Sequence, residues 1–298
     1  MPIIVNGTTI NNPILSGVAL TEVYARKGET GTYVLVFRKG GVTTVALWFG
    51  GNWKMNKVKS EIDTFFGDFL AGLTLNGTKR VIIFPPACYL DYVNSKITSE
   101  YSNMIKVGIQ NLSSHDSGSY TGQISAKQAV DCNCSYALLG EGEVRAYLGV
   151  TDADVAEQMN LALQYGLTPI VVIGEPLEVY DAGTWETYLS NQITTILNDN
   201  LPENIEKCII GYQPLWAIGT GKTMTTSDLQ TRSNFIRAQI TQKWGEQTAA
   251  AVPILSLGNV NANNAQAQLS EGQVDGFVVA GASLTPSRFL PIINNVTK

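Results

Sequence analysis

From residue 45 onward, short apolar runs alternate with longer stretches in which apolar residues recur at helical spacing. Each short run is continuously apolar, which is typical of strands buried on both faces of a sheet. The pattern predicts eight strands, at residues 45–49, 81–84, 106–110, 136–139, 170–173, 208–212, 254–257 and 276–279. Eight strands alternating with helices over about 250 residues favour a (β/α)8 barrel, with a doubly wound open sheet as the alternative.

Helical spacing is clearest in three of the intervening stretches, at residues 60–70, 152–165 and 227–244. The first places Ile62, Phe65, Phe66 and Phe69 on one face, as expected of a helix that covers a barrel. The third begins at Ser227, a residue type favoured at helix N-caps.

Residues 1–44 do not follow this rhythm. A turn is predicted at residues 5–8, and two alternating runs, 19–26 and 32–38, flank a Gly-containing loop at 27–31. These two runs predict a β-hairpin. A hairpin of this size is marginally stable alone, so we expect it to pack on the barrel or on another molecule. The sequence thus predicts a β-hairpin extension at 1–44 and a barrel at 45–298.

Charged residues make up only 15% of the chain, against about 25% in a typical globular protein. Such a surface favours a partner or an assembly, although a free monomer with a neutral polar surface is the alternative. The net charge of −5 and the lack of Lys/Arg clusters argue against nucleic-acid binding. No apolar run reaches the roughly 18 residues of a membrane span, and the N-terminus has no secretory signal, so we expect a cytoplasmic protein. With four cysteines and one histidine, His115, we expect neither a metal site nor a cofactor.

Three segments that follow predicted strands resemble the triosephosphate isomerase family: GGNWKMN at 50–56, YQPLWAIGTGKT at 212–223 and DGFVVAGASL at 275–284. Shorter matches lie between them in the family's order, at 84–86, 110–111, 120–125, 139–143 and 173–175. The resemblance covers about residues 45–298 and implies the same barrel. Residues 1–44 also resemble, by pattern alone, short β-segments of phage tail and virion proteins.

The family's chemistry uses a Glu base, a neutral His electrophile and a loop that closes over the substrate. By this resemblance the base position, directly before Pro214, is occupied by Gln213, whose carboxamide has no useful basicity. The His position is occupied by Glu141, and a carboxylate there would repel a developing enolate unless it were protonated. We expect Glu141 to fill or bridge a disused pocket. A relocated base is the less favoured alternative, because it would approach the substrate from the wrong end.

Other family positions are retained. Lys54 and Asn52 match the substrate-binding residues after the first strand, and Glu143 could pair with Lys54. The resemblance also assigns backbone phosphate donors and the hinge of the sixth loop. The phosphate positions are Gly219, Asn259, Ala280 and Gly281, and the hinge positions are Pro214 and Lys222. Backbone donors survive side-chain changes at these positions but added side chains can block an anion, so residual phosphate or sulfate binding is the less favoured of two alternatives. Tyr180 stands where the family has an Arg beside the fifth loop.

The substitutions at Gln213 and Glu141 predict a catalytically inactive barrel that serves as a structural or binding component of a larger assembly, with a virion as one candidate. On this interpretation none of the family positions Asn52, Lys54, Glu141 and Gln213 is functional. Residues 1–44 are the predicted attachment for a protein partner, and the third loop, 113–122, the predicted contact of a homodimer. The alternatives are an enzyme or sensor for another phosphorylated metabolite, and an atypical triosephosphate isomerase.

Overall fold

A computed structural model describes residues 3–5, 8–10, 14–15, 18–27, 33–39, 46–74 and 77–298. The chain divides into two compact units, Met1–Val45 and Ala46–Lys298. No helix in the described part of the chain is long and apolar enough to cross a membrane.

The first unit contains five strands: β1 (Ile3–Val5), β2 (Thr8–Ile10), β3 (Ile14–Leu15), β4 (Val18–Lys27) and β5 (Tyr33–Lys39). Strands β1 and β2 pair antiparallel, and β3, β4 and β5 form a three-stranded antiparallel sheet. The β4–β5 pair confirms the predicted hairpin. The turn at residues 6–7 and the loop at 28–31 lie outside the described residues. That this unit attaches a partner protein stays a prediction.

The second unit is a closed barrel of eight parallel strands. Its last strand pairs with its first, which rules out the alternative of an open sheet. The predicted (β/α)8 barrel is confirmed. The strands are β6 (Leu47–Asn52), β7 (Lys79–Phe84), β8 (Ile105–Ile109), β9 (Tyr136–Leu139), β10 (Thr168–Ile173), β11 (Ile209–Tyr212), β12 (Ile254–Ser256) and β13 (Gly276–Val279).

Two strand ends differ from the prediction in ways that matter for the site. Strand β6 continues past Phe49 to Asn52, because the two glycines Gly50 and Gly51 still pair with β7 and β13. Strand β12 ends at Ser256, so Leu257 begins the following loop. Asn52 therefore has the fixed backbone of a strand, whereas residues 257–259 belong to a connection.

The helices are α1 (Lys59–Gly72), α2 (Leu90–Asn94), α3 (Ala126–Asp131), α4 (Gly142–Leu148), α5 (Asp152–Gln164), α6 (Leu177–Ala182), α7 (Trp185–Leu197), α8 (Pro202–Ile205), α9 (Thr226–Ala251), α10 (Ala265–Ser270) and α11 (Pro286–Asn295). The predicted N-cap Ser227 is wrong. The cap is Thr225, whose hydroxyl accepts the Asp228 N–H while the Asp228 carboxylate accepts the Thr225 N–H. Helix α9 is kinked at Gly245, whose backbone is not helical.

The core has two layers. One lies inside the barrel and is built from side chains such as Phe84, Leu138, Ile209, Leu255 and Val278. The other lies between the strands and the helices, and it includes the four predicted α1 residues, all buried. Side chains fill the barrel interior, so it is a packed core, and in this fold the site for chemistry lies where the loops follow the strands.

Candidate active site at the carboxyl ends of the barrel strands

A cavity of about 450 Å³ opens at the carboxyl ends of the barrel strands. Its walls come from the loops after β6, β9, β11, β12 and β13, which is where active sites of this fold lie. The predicted site residues among its lining are Asn52, Lys54, Glu141, Gln213, Pro214, Lys222, Asn259, Ala280 and Gly281. Gly219 is not part of the lining, although the resemblance assigned it to the phosphate site; it lies exposed in the sixth loop with a left-handed backbone (φ 70°).

Lys54 is held in a left-handed backbone conformation, with φ of 51°, which is uncommon for a residue with a side chain. Its N–H donates to Asn52 Oδ1 at 3.0 Å, and its carbonyl accepts from Gln110 Nε2 at 3.0 Å. Gln110 Nε2 also donates to the Phe84 carbonyl at 2.9 Å. These bonds fix the strained backbone and direct the Lys54 side chain toward the cavity.

Two carboxyl groups meet the Lys54 ammonium. Glu143 forms a short ion pair with Lys54, as the sequence suggested, and Glu141 Oε1 lies 3.4 Å from Lys54 Nζ. Burial lowers the pKa of Lys54, but the attraction of both carboxyl groups outweighs it and the net pKa is raised. Lys54 is therefore a firmly protonated cation at the edge of the cavity.

Glu141 caps the start of α4, and only 7% of its surface is exposed. Burial, together with the hydrogen bond and the charge of Glu143, raises the pKa of the Glu141 carboxyl to about 7, and Lys54 opposes this only in part. The pKa of Glu143 moves the other way: burial raises it, but the hydrogen bond with Glu141 and the contact with Lys54 lower it overall. Below about pH 7, Glu141 therefore holds the proton and Glu143 the negative charge, and near pH 7 Glu141 exchanges between acid and carboxylate.

Gln213 follows β11 and is 3% exposed. Its Oε1 accepts the Gly142 N–H at 2.7 Å, which directs Nε2 toward Glu141 Oε1 at 3.4 Å. A side chain at position 142 would meet Leu215 Cδ2 at 2.6 Å and Gln213 Oε1 at 3.1 Å, so glycine is needed for this approach. The carboxamide is thereby fixed in one orientation.

Behind the site, the sixth loop is tied to a buried ion pair. Arg232 donates to Glu175 Oε1 at 3.0 Å, and the Tyr212 hydroxyl donates to the same oxygen at 3.1 Å. The Trp216 indole N–H donates to Tyr212 at 3.2 Å, and Tyr180 stacks on the Trp216 ring at 4.1 Å. Tyr180, noted only as a departure from the family, thus packs against the first turn of the loop.

Side-chain hydrogen bonds hold the loop after β12 in place. Asn264 Nδ2 and Gln268 Nε2 both donate to the Asn259 carbonyl, at 2.8 and 3.3 Å. Leu257 packs into the barrel interior. Arg288, near the start of α11, also lines the cavity and was missed from the sequence, because no motif marks an arginine that one helical turn brings back toward the strands.

With this geometry in place, comparison with known proteins identifies the family. A sequence model of the triosephosphate isomerase family matches residues 47–296. A triosephosphate isomerase of Thermus thermophilus is 38% identical over 243 residues, which cover 82% of this chain and 96% of the relative. One of Chloroflexus aurantiacus is 36% identical over 244 residues, with the same coverage. The resemblance stated from the motifs is confirmed for this span; nothing addresses the likeness of residues 1–44 to phage segments.

The expectation of an inactive structural barrel, with a virion as one setting, is wrong. It is overturned because the curated relatives that match 80% or more of the chain carry the name of an isomerase. The expectation gave the two substituted positions more weight than the family likeness of all the rest. That none of Asn52, Lys54, Glu141 and Gln213 is functional stays a prediction, which the activity measurements below decide.

Proposed function

Since the chain belongs to the triosephosphate isomerase family, we propose that it is an isomerase of a small phosphorylated carbonyl compound, of triose phosphate size, with an altered set of catalytic side chains. The observation that carries the proposal is the cavity of about 450 Å³, in which Lys54 and Asn52 share the lining with Ala280, Gly281 and Arg288. A cationic group beside the reacting carbons and an anion site across the cavity are what such a substrate requires.

The part of the cavity that would hold the substrate phosphate contains backbone donors and one guanidinium group. Ala280 and Gly281 stand at the β13 turn, where the chain enters a short 3₁₀ segment, Gly281–Leu284. Asn259 comes from the neighbouring loop, and the exposed Arg288 adds a permanent positive charge. Arg is well suited to phosphate because its donors match the geometry of the anion.

The carbonyl end rests on Lys54 and Gln213. Removing a proton from the carbon next to a carbonyl places negative charge on the oxygen, and donors already oriented toward that oxygen stabilise it. The Lys54 ammonium and the Gln213 carboxamide are both held by hydrogen bonds to their neighbours. This part of the cavity therefore carries the donors that an enediolate needs.

The test is turnover of glyceraldehyde 3-phosphate to dihydroxyacetone phosphate, followed by proton NMR in D₂O, which reports both isomerisation and exchange at carbon. We expect turnover above the uncatalysed rate that saturates with substrate. The proposal fails if the purified protein neither isomerises nor exchanges either compound. Binding of glycerol 3-phosphate without turnover would then point to a sensor of phosphorylated metabolites.

We also propose that the barrel forms a homodimer through the third loop, residues 113–122. In this loop His115 stacks on Tyr120 at 3.8 Å, and Tyr165 donates to Asp116 at 2.6 Å, so the loop is held in shape. Met55, in the first loop, is 95% exposed and offers apolar surface that a second copy of the chain can cover. Light scattering on the purified protein should give twice the mass of one chain, and Met55→Asp should give that of one.

A further inference from the structure

One cavity residue differs from the rest in its acid–base chemistry. Among the lining residues that the structure describes, the ionisable ones are Lys54, Glu141, Lys222 and Arg288. Lysine and arginine are protonated near neutral pH and accept no proton. Glu141 is the one lining residue in the described part of the chain that has a carboxyl group, and none there offers an imidazole, thiol or phenol.

The surroundings of Glu141 hold a proton in place. Its carboxyl group and that of Glu143 both meet the Lys54 ammonium, with Glu141 Oε1 3.4 Å from Lys54 Nζ, and two carboxyl groups brought this close together share one proton. Glu143 Oε2 is buried and accepts no hydrogen bond from the other described residues. A proton on Glu141 supplies the donor that a buried oxygen requires.

We propose that Glu141 is the proton-transfer residue of this site, that Glu143 positions its proton beside Lys54, and that Gln213 orients the substrate oxygen. The inference rests on the proposed isomerase function and assigns the chemistry within it. The proposal reverses the sequence-based preference against a relocated base, because Glu141 is the one carboxyl-bearing residue that lines the described cavity. The carboxyl group stands after β9 and the neutral hydrogen-bonding group after β11.

The step balances without a further reactant. The carboxylate of Glu141 takes the proton from the carbon next to the carbonyl, the C–H electron pair forms the enediolate double bond, and the carbonyl electron pair moves to oxygen. Lys54 and the free N–H of Gln213 stabilise that oxygen. The hydroxyl proton passes between the two enediolate oxygens, and the Glu141 carboxyl returns its proton to the neighbouring carbon. The enzyme ends as it began.

Every charged group that faces Glu141 bears on its protonation. Lys54 favours the carboxylate, Glu143 favours the acid, and Gln213 and the Gly142 N–H at the start of α4 are neutral. A carboxyl group that titrates near neutral pH is well matched to taking and returning one proton. Glu143→Gln removes both the like charge and the shared proton, so it should move the titration of Glu141 to lower pH.

The experiment compares Glu141→Gln, Glu143→Gln and the wild type for glyceraldehyde 3-phosphate turnover and for glycerol 3-phosphate binding by calorimetry. Glu246→Gln, the same change at an exposed position outside the cavity, is the matched control. We expect Glu141→Gln to lower kcat by about 10²- to 10⁴-fold with binding within threefold of wild type. Glu143→Gln should shift the acid limb of the pH–rate profile by at least half a pH unit to lower pH, which a merely structural role of Glu143 would not do. Glu246→Gln should match wild type.

The three possible failures are distinguishable. If the wild type turns over and Glu141→Gln retains more than a third of its kcat, the role of Glu141 is overturned while the isomerase function stands. If Glu143→Gln leaves the profile in place, the shared proton is overturned. If the wild type shows neither turnover nor exchange, the isomerase function itself is wrong, and the assignment falls with it. Infrared titration of the carboxyl band shows whether Glu141 is protonated in the folded protein. It thereby distinguishes this state from a variant that fails to fold.

Discussion

The carboxamide nitrogen Nε2 of Gln213 lies 3.4 Å from Oε1 of Glu141, so the two positions that depart from the family are in contact with each other. They also share the Gly142 backbone, because its N–H donates to Gln213 and it directly follows Glu141. Substituting either residue changes the surroundings of the other. The two departures therefore have to be tested as a pair.

Restoring the family's residues should work only when both are restored. Gln213→Glu alone places a second carboxyl group beside Glu141, and the pair would hold a proton between them, which leaves little free base. Glu141→His alone removes the one carboxyl group lining the described cavity, and activity should fall to background. The double variant Gln213→Glu/Glu141→His recreates a Glu base with an imidazole beside it. We expect its kcat/KM to exceed that of wild type by about 10- to 100-fold.

Steady-state kinetics gives kcat/KM for the wild type, the two single variants and the double variant, and circular dichroism checks that each is folded. The outcome that would count against the argument is a double variant no better than Gln213→Glu, since the two positions would then act independently. A wild-type rate in Glu141→His would show that the carboxyl group at 141 does no chemistry.

The raised pKa of Glu141 should appear in the pH dependence of stability. The folded protein holds this proton up to about pH 7, whereas an unfolded Glu releases it near its ordinary pKa of 4.5. The stabilisation is therefore fully present below pH 4.5, falls as the pH rises between 4.5 and 7, and is absent above 7. Glu141→Gln removes this dependence and should gain roughly 1–3 kcal/mol over wild type on going from pH 4.5 to 8.

Urea unfolding at several pH values gives the free energies of unfolding that decide this. Glu246→Gln serves again as the control, because it makes the same change at an exposed position outside the cavity. Parallel curves for wild type and Glu141→Gln across this interval would mean that the Glu141 proton is not held by the fold.

The sequence could predict most of the barrel, because strands buried on both faces leave continuous apolar runs that survive any change in surface composition. It could also place Lys54, Gln213 and Glu141, since the motifs align residue by residue with the family. It could not give the Glu141–Glu143 contact. Whether two carboxyl groups two residues apart share a proton depends on the turn between β9 and α4 and on a cation from another strand.

Thr225 and Arg288 show two further limits. Ser and Thr are both favoured N-cap residue types, and the reciprocal bonds with Asp228 select Thr225 over Ser227. Arg288 reaches the cavity because α11 starts directly after the β13 turn, a relationship of three-dimensional packing that leaves no spacing signal. A third limit concerns the interpretation as an inactive barrel, which depended on two substituted positions. The loss of one side chain does not show what its neighbours can do.

Removing one partner of the buried ion pair behind the sixth loop should lower the free energy of unfolding more than removing both partners. Glu175 is fully buried and Arg232 is 5% exposed. Arg232→Met leaves the Glu175 charge with only the Tyr212 hydroxyl, and we expect a loss of about 3–5 kcal/mol. The double variant Glu175→Met/Arg232→Met leaves no buried charge and should be more stable than the single one. A double-mutant cycle by urea unfolding measures the coupling, and additive losses would contradict it.

Arg288 gives a test of the phosphate end that is independent of the chemistry at Glu141. Removing its charge with Arg288→Met should weaken glycerol 3-phosphate binding by roughly 10-fold or more, because a charged hydrogen bond to an anion contributes about 1.5–3 kcal/mol. Arg80→Met is the matched control: it removes the same charge from the amino-terminal part of β7, where Arg80 donates to the Gly77 carbonyl, and Arg80 does not line the cavity. Calorimetry at two salt concentrations separates contact from long-range attraction, since the latter is screened within about 10 Å at 0.1 M. Equal losses in the two variants would place the phosphate elsewhere than beside Arg288.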